Sequence, residues 1–228
     1  MNNIEKVYLI SIERSGCFRT DNINNLKKYI KQYLNLDIHT VGIDCNDVYN
    51  NPERIRELQN INVFIKKPKW NYCGNGLFRR FMPGEIGCYL SHREVWLDMV
   101  KNNIQHALIF EDDSLIDPNT FFDNINDIMT NLPTKQHHYI SLYHSPQKYN
   151  IQNYSRNVNN YIKHVKFDMW GTVSYILDFK CANAFINDLF PIFFPIDQAI
   201  SKHGIENNCL FLSQKSLVKL CDKKSIIR

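Results

Sequence analysis

A short apolar run stopped by acid constrains this chain more than any other stretch: Ala107-Leu108-Ile109-Phe110, then Glu111-Asp112-Asp113-Ser114. Four apolar residues in a row have the length and character of a fully buried strand. Strand residues alternate faces, so Glu111 and Asp113 are expected on one side and Asp112 on the other. Neighbouring carboxylates repel and raise one another's pKa unless a cation neutralises them. An oxygen-rich setting of this kind suits a hard divalent cation such as Mg²⁺ or Mn²⁺. In open α/β sheets, ligands bind beyond the carboxyl ends of the strands, where this cluster falls. The plain alternative is a solvated turn or helix N-terminus, because Asp117-Pro118-Asn119-Thr120 opens a helix soon after.

The 228 residues suit one domain spanning 1–228, with enough chain to bury a core without disulfides. A net charge of +4 is mild, and no dense run of Lys or Arg argues for nucleic acid. It fits an anionic small molecule, with at most peripheral contact to an anionic membrane. The N-terminus shows no charged region followed by an apolar one, so no secretory signal is expected. No apolar stretch approaches the roughly 20 residues that span a bilayer. The seven cysteines are scattered without C-x-x-C spacing, which disfavours a zinc site. They are expected to be reduced and inert, and the protein cytoplasmic or peripheral at the inner face of a membrane.

Val7-Tyr8-Leu9-Ile10-Ser11-Ile12 reads as an opening strand, Asn22 to Tyr33 as an amphipathic helix and Asp37 to Val41 as a second strand. This β-α-β start predicts parallel strands joined by a right-handed crossover. It brings Arg14, Arg19 and Asp44 to the edge that carries the acidic triplet. Pro52 to Leu58 suggests a short helix, and Asn71-Tyr72-Cys73-Gly74-Asn75-Gly76 an exposed loop. A helix from Pro83 to about Asn102 buries Ile86, Tyr89, Leu90, Val95, Trp96, Met99 and Val100. Glu85, Cys88 and His92 share another of its faces by their spacing of three and four. Beyond the triplet, Phe121 to Met129 is expected to be helical and Tyr139 to Tyr143 a strand. His144 to Asn160 is read as a polar loop over the site. Ile162 to Phe167 and Val173 to Leu177 are expected strands, and Lys180 to Leu189 a helix. Trp96, Trp170, Phe193 and Phe194 are expected in the core.

The segments Pro83-Gly84-Glu85-Ile86-Gly87-Cys88-Tyr89-Leu90-Ser91-His92 and Ala107-Leu108-Ile109-Phe110-Glu111-Asp112-Asp113 resemble glycosyltransferase family 25, the lipooligosaccharide and collagen-type galactosyl- and glucosyltransferases. The family's pattern is G-E-I-G-C-x-x-S-H, then L-x-E-D-D some twenty residues on. Gly42-Ile43-Asp44, Gly171-Thr172-Val173-Ser174-Tyr175 and Pro195-Ile196-Asp197 are similar to further family elements. Ser11 stands where Asn is usual, and Val173 where His is often found.

The resemblance implies an α/β, GT-A-like fold with a Rossmann-like, mostly parallel sheet. It also implies a UDP-sugar donor (UDP-galactose or UDP-glucose), Mn²⁺ or Mg²⁺, and inversion at the sugar carbon. A glycan, a glycolipid of lipopolysaccharide biosynthesis or a protein then supplies the acceptor hydroxyl. In that frame Asp113 is the first candidate metal ligand, with Glu111 touching the metal or the donor sugar and Asp112 facing the ribose. Ser11, Arg14, Arg19 and Asp44 are candidates for the nucleotide or its pyrophosphate. The candidates for catalytic base and its neighbours are Asp197, Glu85 and His92. The bland readings are a dipole-complementing Glu85, a hydrogen-bonding core His92 and an Asp197 that caps a short helix over 197–201. Two other functions compete: a metal-dependent phosphohydrolase or nuclease, and a nucleotide-sugar-binding protein with little turnover.

Overall fold

The computed structural model describes residues 3–12, 19–44, 53, 69–72, 77–80, 83–133, 137–145 and 154–221. In chain order the elements are β1 (Lys6–Ile10), α1 (Thr20–Leu34), β2 (Ile38–Val41), β3 (Lys69–Tyr72), β4 (Leu77–Arg80), α2 (Pro83–Lys101), β5 (His106–Glu111), β6 (Ser114–Ile116), α3 (Pro118–Thr130), β7 (Tyr139–Ser141), β8 (Ser155–Asn157), β9 (Ile162–Val165), β10 (Ser174–Asp178), α4 (Phe179–Asp188), α5 (Ile196–Glu206), β11 (Leu210–Ser213) and β12 (Val218–Leu220).

Eight strands form one sheet in the order β2-β1-β5-β10-β7-β11-β9-β8. β1 pairs in parallel with both β2 and β5, as the β-α-β opening requires, with Leu9 opposite Phe110. β10 then inserts antiparallel between β5 and β7, so the sheet is parallel on one side and mixed on the other. This is the α/β, GT-A-like arrangement expected.

The two-residue period of the strands builds two cores. Val7, Leu9, Leu108, Phe110 and Ile176 face the layer of α1 and α3. Tyr8, Ile10, Ala107, Ile109 and Tyr175 face α2, α4 and α5. α2 carries six of its expected core residues fully buried, and Trp96 meets Phe185 of α4 edge to face at 5.0 Å. Burying a side chain of that size stabilises by about 3 kcal/mol. Gly42 serves the join between β1 and β2. A Cβ there would lie 2.0 Å from the Ser11 carbonyl oxygen, so only glycine permits the approach.

Several expectations need correction. Asn71 and Tyr72 belong to β3, which pairs with β4 as a hairpin. The β-formers Trp70, Tyr72, Leu77 and Phe78 outweigh the glycines and asparagines between them. The polar stretch 144–160 includes β8, which adds to the sheet edge beside β9. Residues 52 and 54–58 of the expected short helix, 73–76 of the expected loop and 146–153 of that polar stretch lie outside the described residues. Trp170, Phe193 and Phe194 are exposed rather than core. They sit in connections (before β10 and between α4 and α5) that belong to neither packed layer. Among the described residues, no helix is long and apolar enough to cross a membrane.

Candidate active site

The acidic turn at the end of β5 is fixed by its backbone before any side chain is considered. Glu111 N–H donates to Val173 O at 2.8 Å, and Asp112 N–H to Ile10 O at 3.1 Å. Cys221 N–H donates to Asp113 O at 2.8 Å. The Asn22 side-chain amide of α1 donates to the carbonyls of Asp112 and Ser114, both at 2.9 Å. Ser114 Oγ closes the turn on Val173 O at 2.6 Å.

The three carboxylates then part company. Asp112 is buried, accepts from Ser11 Oγ at 2.9 Å and pairs with the Arg19 guanidinium. Arg19 is itself buried and lies 3.5 Å from Asp113. Ser11 and Arg19 are therefore brought to the triplet, where they hold Asp112 behind the site.

Asp113 has a buried Oδ1 with no hydrogen-bond partner among the described residues. Burial raises its pKa, the charges of Glu111 and Asp112 add to the rise, and Arg19 only partly opposes them. The group is pushed up to about 7. A carboxylate left this frustrated is suited to a cation, and the residues present fit the divalent metal the family implies.

Glu111 is held as an anion. Burial pushes its carboxyl up, but hydrogen bonds from His92 and Thr172 and the charge of Arg19 outweigh that and hold its pKa below the ordinary range. Thr172 Oγ1 donates to Glu111 Oε1, and His92 Nε2 lies 3.3 Å from the same oxygen. The other ring nitrogen, His92 Nδ1, is 2.8 Å from the Tyr175 hydroxyl, which accepts from Trp96 Nε1 at 3.4 Å. With the Tyr175 proton on Nδ1, the Nε2–H of a neutral imidazole points at Glu111. Trp96, Tyr175, His92 and Glu111 thus form one polarised row that crosses the core. His92 is completely buried at the inner end of the site, within reach of Glu111.

Asp197 lies in the first turn of α5. Its carboxylate accepts from Gly171 N–H at 2.9 Å and from Gln198 N–H at 2.8 Å. Burial raises its pKa, the two amides oppose the rise, the Glu111 charge reinforces it, and the net shift is upward. Gly171 has φ +85°, a left-handed value that turns the chain toward Thr172 and β10. Glu85 is half-buried in the first turn of α2, where its charge complements the helix dipole. Asp44 follows β2, whose exit is held by the Ile43 N–H donating to Ser91 Oγ at 2.9 Å. Arg14 lies outside the described residues.

Cys88 sits among these groups. Burial pushes its thiol well up, and Glu111, Asp197, Asp113 and Asp112 all push the same way. Cys88 Sγ, a His92 ring nitrogen and a Glu111 carboxylate oxygen lie within 4.8 Å of one another. Sequence reasoning gave no role to Thr172, Tyr175, Asn22 or Cys88. Gly171-Thr172-Val173-Ser174-Tyr175 stood out as a motif, but only the antiparallel pairing of Ser174 with Phe110 aims it at Glu111.

The site thus combines an acidic turn at the end of β5, a buried arginine paired with Asp112, and a buried aspartate carboxyl in the first turn of α5. The family model "Glycosyltransferase family 25 (LPS biosynthesis protein)" matches residues 4–200, and the chain belongs to that family. The chain is 24% identical to a procollagen lysyl hydroxylase and glycosyltransferase of Acanthamoeba polyphaga mimivirus, over 95% of this chain and 25% of that protein. It is 23% identical to procollagen galactosyltransferase 1 of Danio rerio, over 61% of this chain and 24% of that protein. Procollagen galactosyltransferase 2 of Homo sapiens is 25% identical over 54% of this chain and 20% of its own length. The chain therefore spans about a quarter of the length of these relatives.

Proposed function

We propose that this chain is a metal-dependent, inverting hexosyltransferase that moves galactose or glucose from a UDP-sugar to an acceptor hydroxyl. The observation that carries the reading is Asp113, a half-buried residue whose buried Oδ1 has no hydrogen-bond partner among the described residues and whose pKa is pushed up to about 7, beside an anionic Glu111. Asp113 and Glu111 would hold the cation. When bound, Mn²⁺ or Mg²⁺ supplies charge neutralisation for a departing diphosphate.

The chain's own residues do the rest. Arg19 and Ser11 fix Asp112 and set the turn, and Arg19 adds positive charge behind the pyrophosphate position. Asp112, with both carboxylate oxygens engaged there, acts as a support for the turn more than as a ribose ligand. His92 and Thr172 position Glu111 and keep it ionised. Asp197 takes the proton from the acceptor hydroxyl, its raised pKa bringing it nearer the working range of a general base. Glu85, on the helix that leads into β5, is the second candidate for that proton. Arg14 and Asp44 remain proposed contacts to the nucleotide, whereas Ser11, expected beside them, acts through Asp112.

The rival phosphohydrolase reading draws no support from the family match. The binding-only reading is tested by the transfer assays given below. A glycan or glycolipid is the acceptor class proposed, with a protein hydroxyl as the variant that the named relatives suggest. Action at the cytoplasmic face of a membrane is part of the same proposal. The test is a calorimetric screen of UDP, UDP-galactose and UDP-glucose with and without Mn²⁺, followed by transfer assays. Metal-dependent UDP binding is the expected result. Equal binding with Mn²⁺ and with EDTA overturns the metal-dependent reading.

A further inference from the structure

Cys88 and His92 are four residues apart on α2, so one turn of helix aims a thiol and an imidazole the same way. Glu111 enters from β5 on the facing element, and the three donor atoms lie within 4.8 Å. The His92–Glu111 separation of 3.3 Å is long for a charge-assisted hydrogen bond. It matches the edge of a tetrahedral site whose metal–N and metal–O bonds are each about 2.0 Å. Outer contacts of the kind that orient metal ligands are already in place, from Tyr175 to the imidazole and from Thr172 to the carboxylate. The surrounding field is negative, because Asp112, Asp113 and Asp197 all act on Cys88.

We propose that Cys88, His92 and Glu111 form a second metal site that takes Zn²⁺ or a similarly thiophilic cation in preference to Mn²⁺ and Mg²⁺, and that its occupation inhibits transfer by withdrawing Glu111. The second half rests on the role given to Glu111 under Proposed function; the binding does not. A thiolate and an imidazole with one carboxylate suit Zn²⁺, whereas the all-oxygen pair of Glu111 and Asp113 suits Mn²⁺ or Mg²⁺. On binding, the Cys88 S–H bond breaks and its proton leaves to solvent as the S–Zn bond forms. The His92 proton moves from Nε2 to Nδ1, where the Tyr175 oxygen accepts it, and Nε2 donates its lone pair to the metal. Three protein ligands leave a fourth position for water, as in an open zinc site. Zn²⁺ on Glu111 draws off negative charge that Mn²⁺ or Mg²⁺ would otherwise share, so the two sites compete for that carboxylate.

The experiment titrates metal-free protein with Co²⁺ and then Zn²⁺. Wild type and Cys209→Ser are expected to develop the thiolate-to-Co²⁺ charge-transfer band, and one equivalent of Zn²⁺ to bleach it. Cys88→Ser loses the band, and its Zn²⁺ affinity falls tenfold or more. A wild type that saturates with Co²⁺ without a thiolate band overturns the proposal, as does a band that survives in Cys88→Ser. Should Cys88→Ser fail to fold, wild type answers alone: saturating Zn²⁺ must slow alkylation of Cys88, read by peptide mass, and unchanged labelling is the overturning result. In transfer assays Zn²⁺ is expected to inhibit at concentrations that rise tenfold or more in Cys88→Ser. UDP binding with Mn²⁺, measured on the same samples, separates the two readings. Its failure removes the donor assignment and leaves the Co²⁺ band untouched.

Discussion

Asp197 Oδ2 accepts the Gly171 N–H at 2.9 Å, which ties the first turn of α5 to the left-handed residue that leads into β10. One carboxylate thus clamps two segments and feels the charge of Glu111 at the same time.

Asp197→Asn separates these duties. The amide oxygen can still accept one of the two backbone N–H groups, while its NH₂ opposes the other, at a cost of about 1–3 kcal/mol in stability. Donor affinity should stay near wild type while kcat falls by roughly 10²–10⁴. Calorimetry, melting and single-turnover transfer read the three effects. Normal turnover in Asp197→Asn together with an inactive Glu85→Gln assigns the base to Glu85.

Asp113→Asn removes the charge that a divalent cation is expected to use. UDP affinity in the presence of Mn²⁺ should fall at least tenfold, since even residues behind a metal ligand are worth that much. Calorimetry with Mn²⁺ and with EDTA measures it. Equal affinities for wild type and variant under both conditions remove Asp113 from the metal site.

What could be read in advance follows the range of each interaction. The strand 107–110, the helix from Pro83 and the split of Glu111 from Asp112 are local consequences of period and alternation, and they were legible. The partners of Glu111 were only half so. His92 lies 19 residues away on the preceding helix, within one motif pair. Thr172 lies 61 residues away, and only an antiparallel strand between β5 and β7 delivers it. No local pattern encodes that insertion. Trp170, Phe193 and Phe194 misled for the opposite reason: apolar character predicts burial only within a packed layer.

Thr172→Val deletes the hydroxyl that donates to Glu111 and leaves the imidazole as its remaining side-chain partner among the described residues. Activity should drop by about tenfold or more, and stability by about 1–2 kcal/mol. Thr172→Ser keeps the donor and should restore most of the activity. Equal loss in both variants would mean that the methyl group, through packing, is what matters.

Asp178 governs stability in acid. It caps α4 through the Cys181 N–H at 2.7 Å and accepts the His138 N–H at 2.6 Å. Burial pushes its carboxyl up, but the His138 side chain and these amides prevail and hold its pKa below the ordinary value of about 3.9. A depressed folded pKa means that the stabilisation is complete above the unfolded value and drains away as pH falls through the folded one. Asp178→Asn should therefore destabilise the protein at neutral pH by about 1–2 kcal/mol. The wild-type advantage should shrink below about pH 4. Urea midpoints at pH 7 and pH 3 measure both limbs.

The insertion of β10 also orders events in time. While the chain is being synthesised, β1, α2 and β5 emerge long before Thr172, so the carboxylates at the end of β5 are exposed to water without their later partners. Val173 O accepts both Glu111 N–H and Ser114 Oγ–H, so the segment leading into β10 that positions Glu111 also closes the acidic turn. A truncated product ending before Gly171 lacks both, and a partial translation product of this kind carries the acidic motif without the means to organise it. Competence is conferred late, by a segment that contributes no acid of its own to the triplet.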